Sequence, residues 1–136
     1  MFSISVKGRY GITAMIELAR HHGHDPVRIR DIAERFQLPR NYLEQIFNRL
    51  GKQKLVQSVR GKNGGYTLAA DPSRVTVMMI LEALEGELSL AKAETDPALR
   101  ILYGEVEGEV KKKLDISLEQ MIELQEKHAR RMMFHI

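Results

Sequence analysis

The six residues from Arg60 to Gly65 read Arg-Gly-Lys-Asn-Gly-Gly, and they separate two short segments with strand character. Leu55–Val59 and Tyr66–Ala69 are too short for helices, and the glycines between them supply the backbone freedom of a hairpin turn. Just upstream, Leu43, Ile46, Phe47 and Leu50 recur at three- and four-residue steps, so they share one face of a helix from about Arg40 to Lys52. A one-faced helix running straight into a cationic hairpin leaves few architectures open.

The surrounding pattern is helical. Ser5 can cap a helix with apolar positions at Ile12, Met15, Ile16, Leu18 and Ala19, ending near Gly23 and Pro26. Val27–Ile29 reads as a short extended piece, and Asp31 to Phe36 as a brief helix carrying Ile32, Ala33 and Phe36. Leu38-Pro39 breaks that helix before the next one opens. After the hairpin, Asp71-Pro72 closes the unit, Thr76 caps a helix through Glu85, and Gly86 stops it. The segment 87–96 reads as a linker. Asp96-Pro97 opens a long helix striped by Leu99, Leu102, Val106, Val110 and Leu114, and Ser117 with Gln120 fits a capping box for a last helix through about Arg131. The sum is a mainly α fold with a small β-hairpin wing: a winged helix-turn-helix over 1–86, then a long C-terminal helix.

Charge separates the two halves. Met1–Ala70 holds 12 Lys and Arg against 5 Asp and Glu, whereas Asp71–Ile136 holds 9 against 13. A basic half followed by an acidic half suits a polyanion partner for the first, although a charged surface also produces such asymmetry without one. The chain contains no cysteine, which excludes disulfides, thiolate-ligated zinc, all-thiolate iron–sulfur ligation and a Cys nucleophile. No apolar run nears the roughly 18 residues of a membrane span. Met1–Tyr10 lacks the apolar block of a signal peptide, so a cytoplasmic location without membrane contact is expected.

On the Arg40–Lys52 helix, the buried stripe leaves Asn41, Tyr42, Glu44, Gln45, Asn48 and Arg49 outward or sideways. In a DNA major groove, Gln45 and Asn48 can pair with adenine edges, Glu44 can accept from a cytosine amino group, and Arg49 can meet phosphate. An ordinary solvated helix face has the same composition. The hairpin tips the reading, because Arg60 suits a narrow minor groove, while Lys62, Asn63 and the amides near Gly64 and Gly65 suit phosphates. The double-stranded DNA would be read by helix and wing together.

Other features carry weaker readings. His21, His22 and His24 could bind a metal ion, but histidines at a helix end more often serve the helix dipole, so no metal site is expected. His128 and His135 read as surface residues. Met78, Met79, Met121, Met132 and Met133 fit either a core or an adaptable surface. Lys111-Lys112-Lys113 reads as a solvated face. There is no phosphate loop, nucleophile elbow or suggestive carboxylate pair, so no enzyme is expected.

The string YLEQIFNRLGKQKLVQSVRGKNGGYTLAA from Tyr42 to Ala70, with Lys7-Gly8-Arg9-Tyr10 before it and LEALEG ending at Gly86, resembles the Rrf2 family of winged helix-turn-helix transcription regulators. The match covers at least Ser5–Gly86. The resemblance implies a homodimer, with 97–136 as a helical dimerisation region and Leu99, Leu102, Val106, Val110 and Leu114 as its seam. It implies that Glu44 and Gln45 read bases, that Arg60 enters the minor groove, and that the operator is pseudo-palindromic. Redox-sensing members carry three cysteines where this chain has Glu87–Asp96, so it resembles the family's cluster-free branch, with no cofactor. The function expected is that of a repressor, in some members answering to a regulatory protein partner. The alternatives are a winged helix that binds protein instead of DNA, or a regulator answering to a metal or small molecule.

Overall fold

Helix α1 (Val6–Arg20) is the centre of the packing. Ser5 opens it, its Oγ accepting from the Gly8 N–H at 3.2 Å. Every residue from Ala14 to Ala19 is buried, so the later turns of this helix are enclosed on nearly all sides, while Lys7, Arg9 and Arg20 stay exposed. The computed structural model describes residues 3–134; His135 lies outside the described residues.

One of the enclosed residues is charged. Glu17 is only 3% exposed, and its Oε1 accepts from Arg35 Nη1 at 3.0 Å and lies 3.3 Å from His21 Nδ1. A carboxylate taken from water needs such donors. Arg35 sits on α2 (Ile29–Phe36), so the pair also fixes that helix against α1. Replacing Arg35 with Ala is expected to cost about 1–3 kcal/mol, the penalty of stripping a charged donor from a buried acceptor. A urea midpoint that falls at constant slope would register it; an unchanged midpoint would show that His21 suffices.

Helix α2 begins earlier than the sequence pattern suggests, because Arg28 serves as its N-cap without any side-chain capping bond to mark it. The extended piece shrinks to Val27. Gln37 then turns the chain in the left-handed region (φ 53°), Leu38 N–H donates to Ala33 O at 3.0 Å, and α3 (Arg40–Lys52) follows within the predicted bounds.

Strands β1 (Val56–Val59) and β2 (Gly65–Leu68) pair antiparallel, with Val56 opposite Leu68 and Val59 opposite Gly65. Both are slightly shorter than predicted, although Ala69 N–H still donates to Leu55 O at 3.0 Å beyond the paired residues. Helix α4 (Val77–Glu85) is capped by Thr76, whose Oγ1 accepts from Met79 N–H at 3.1 Å. It lies so close to α1 that a Cβ on Gly11 would stand 2.2 Å from Leu84 Cδ1.

The C-terminal stretch divides in packing. Helix α5 (Pro97–Leu114), capped by Asp96, has no buried residue. Helix α6 (Leu118–Phe134) starts inside the core: Leu118 is fully buried, its N–H donates to Val75 O at 2.8 Å, and Val77 N–H donates to Ile116 O at 2.9 Å. The predicted capping box is formed, with Ser117 N–H donating to Gln120 Oε1 at 2.9 Å and Gln120 N–H to Ser117 Oγ at 3.0 Å. Farther along, Arg20 Nη2 donates to Gln125 Oε1 at 2.7 Å, holding α6 to α1. Among the described residues no helix is long and apolar enough to cross a membrane.

Candidate nucleic-acid interface

Helix α3 is anchored by Leu43, Ile46, Phe47 and Leu50, all at most 1% exposed. That fixed inner face determines the outer one: Asn41, Glu44, Gln45, Asn48 and Arg49 are exposed, while Tyr42 is half-buried. Tyr42 meets Tyr10 edge-on, with ring centroids 5.7 Å apart, so its ring helps seat α3 on α1. Glu44 lies 3.4 Å from Arg40 Nε, one helical turn away, in an exposed pair worth a few tenths of a kcal/mol. Arg49 Nε donates to Ala83 O at 2.9 Å, which ties the last turn of α3 to α4 and leaves the terminal guanidinium nitrogens for another acceptor.

The hairpin is joined to α3 through aromatic packing. Phe47 and Tyr66 have ring centroids 4.7 Å apart, so the inner face of the helix and the second strand share one core. At the tip, Arg60, Gly61, Lys62 and Asn63 are exposed, and neither Arg60 nor Lys62 forms an ion pair among the described residues. Gly64 and Gly65 are half-buried. Gly64 N–H closes the turn on Gly61 O at 3.0 Å, so this amide serves the loop and is not free for a phosphate, contrary to the sequence reading. A Cβ at Gly64 would lie 2.3 Å from Val59 O, which makes glycine a requirement of the fold there.

Two neighbours of the wing escaped the sequence reading. Val27 pairs with Tyr66 as an isolated antiparallel bridge, adding a third edge to the hairpin. Arg28 Nη2 donates to the Lys62 carbonyl at the loop tip. Both contacts span more than thirty residues of chain, beyond the reach of periodicity. On the far side of the hairpin, Asp71 accepts from Ser73 N–H at 2.9 Å and Ser73 Oγ at 2.7 Å, which holds its carboxyl below the ordinary carboxylate range.

The histidine group disperses. His21 Nδ1 turns back to within 3.0 Å of Glu17 O, and His22 Nε2 lies 3.8 Å from Asp71 Oδ2. Among the described residues no three His, Asp or Glu side chains converge as a metal ion requires.

A short helix, a tight turn, a second helix with a polar outer face and a hairpin with exposed cations define a DNA-binding transcription regulator of winged-helix type. Its relatives are named HTH-type transcriptional regulators. The chain is 39% identical over 136 residues to the HTH-type transcriptional regulator CymR of Bacillus subtilis (strain 168), covering 98% of this chain and 99% of that one. It is 40% identical over 91 residues to IscR of Sodalis glossinidius (strain morsitans), covering 67% of this chain and 55% of that one. The solved structure of CymR (YrzC), the global cysteine regulator of B. subtilis, superposes with a TM-score of 0.80 at 40% identity, covering 89% of this chain and 96% of that one. T. potens IscR does so at 0.82 and 38%, covering 93% and 90%. The chain belongs to the Rrf2 family, whose sequence model, described as an iron-dependent transcriptional regulator, matches residues 4–132.

Thiolate ligation of the iron in that description is closed to this chain. The chain has no cysteine, and the segment 87–96 offers only the carboxylates of Glu87, Glu94 and Asp96, of which Glu94 and Asp96 already accept from backbone N–H groups.

Proposed function

We propose that this chain is a homodimeric repressor that binds a pseudo-palindromic operator in the cytoplasm, without an iron–sulfur cluster. Asn41, Tyr42, Glu44, Gln45 and Asn48 would face the major groove, with Glu44 and Gln45 reading base edges and Arg49 meeting phosphate. Arg60 would enter the minor groove, while Lys62 and Asn63 would meet phosphates and Gly64 and Gly65 would hold the loop's shape. The observation that carries this reading is the pairing of α3's exposed polar face with a wing whose tip cations are exposed and free of ion pairs among the described residues. The division of labour in this reading is 1–86 for DNA, 87–96 as connector, and 97–136 for assembly, with Leu118 of α6 also completing the core of the first unit.

Selection of genomic fragments by the purified protein tests it. Recovery of an inverted repeat beside a small set of promoters is expected, with those transcripts rising when the protein is removed. Equal recovery of all fragments, or of none, would return the wing to a protein-binding role.

The dimer is supported by α5. A helix of 18 residues that has no fully buried residue in its own subunit, and leaves Leu99, Leu102, Val106 and Val110 exposed, suits a partner surface. Leu114, half-buried, would close the seam. Leu102→Asp, at a position 51% exposed in the single chain, is expected to shift sedimentation from dimer to monomer while leaving the circular dichroism of the N-terminal helices intact. A wild-type chain that sediments as a monomer while bound to DNA would remove the seam.

A further inference from the structure

We propose that Arg28 is a positioning residue for the wing: it clamps the loop before DNA arrives, so that Arg60 and Lys62 are presented in one geometry. This inference rests on the DNA-binding reading above and deepens it.

A loop of Arg60 to Gly65 with three glycines has much backbone freedom to lose, and a mobile wing would surrender that freedom on binding. The structure restrains it at two levels. At the base, Val27 N–H donates to Tyr66 O at 3.0 Å and Tyr66 N–H donates to Val27 O at 2.8 Å. At the tip, Arg28 Nη2 donates to Lys62 O, a charge-assisted bond from a guanidinium to a carbonyl. The two restraints come from adjacent residues, so one short extended segment grips the loop at its tip and at its β2 base.

Local geometry makes this grip possible. Arg28 is the N-cap residue of α2, with φ −84° and ψ 142°, and its side chain makes no capping bond, which leaves the guanidinium for the wing. A Cβ on Gly65 would stand 2.5 Å from Val27 O, so only glycine lets the Val27 segment lie against the strand. Because Arg28 leads directly into α2, the clamp also ties the wing to the helix-turn-helix. The presentation of wing and recognition helix is thereby set together.

An exposed arginine beside a cationic loop has a plainer possible role, a direct phosphate contact, and the two are separable. In Arg28→Ala without DNA, the Gly64 amide, which donates to Gly61 O across the loop tip, is expected to exchange roughly tenfold faster, with the rest of the protein unchanged. On the genomic fragment recovered by the wild type, or on mixed-sequence duplex at low salt, affinity is expected to fall roughly 3- to 10-fold. The dependence of log affinity on log salt should keep its slope, because the same phosphates are met once the wing is ordered. A slope reduced by about one would assign Arg28 to a phosphate and overturn the clamp. Unchanged exchange, or faster exchange with unchanged affinity, would overturn it as well. If the wild type itself binds no duplex, the DNA reading fails, while the exchange measurement on the free protein still decides whether Arg28 orders the loop.

Discussion

Phe47→Ala is expected to remove about 3–5 kcal/mol of folding stability, the usual cost of emptying an aromatic site in a packed core. Phe47 is fully buried at the point where α3 meets the hairpin, with its ring against Tyr66. A domain of this kind has only about 5–15 kcal/mol in total, so the variant should sit near the edge of folding. Chemical denaturation would read the loss as a lower midpoint, and exchange of the hairpin amides should rise with that of α3, since both elements lean on the same ring. Loss of less than about 1 kcal/mol would show that the helix and wing are held independently.

Arg60→Ala tests the opposite limb of the structure, where nothing is buried. Its side chain is exposed at the end of β1 and enters no ion pair among the described residues, so stability should be unchanged. Affinity for the recovered operator is expected to fall by about 1–3 kcal/mol, roughly 5- to 150-fold, if Arg60 makes a specific groove contact. Lys62→Ala should behave differently, weakening all duplexes about equally and lowering the salt slope by about one. A folded Arg60→Ala protein that binds its operator as tightly as the wild type would remove Arg60 from the interface.

Much of the fold was legible because its signals are local. The Leu43–Leu50 spacing predicts α3 within its observed bounds, and Ser5, Thr76, Asp96 and Ser117 each mark a helix start through a side chain that accepts a backbone N–H. The start of α2 was displaced because Arg28 makes no such bond. What stayed hidden was every contact between distant segments: the bridge from Val27 to Tyr66, the Arg49 bond to Ala83, and the reach of Glu17 to Arg35. Glu17 in particular reads as one more charge on an amphipathic helix, since nothing in its neighbourhood announces an arginine one helix away. The candidate interface was legible in composition, with its exposed α3 face and cationic tip, but not in support. Gly64 carries the clearest example, an amide assigned from sequence to an outside phosphate that is engaged by Gly61.

The entry of α6 into the core has a bearing on how the protein is made. Leu118 fills a place beside Val75, so the unit bearing α3 and the wing is incomplete until residues well past the end of α4 have left the ribosome. At a synthesis rate of roughly 5–20 residues per second, the interval between Gly86 and Leu118 lasts on the order of a few seconds. During that time the nascent chain carries its cationic loop without a finished scaffold behind it. The scaffold beneath α3 and the wing therefore reaches its final packing only once Leu118 has been added to it.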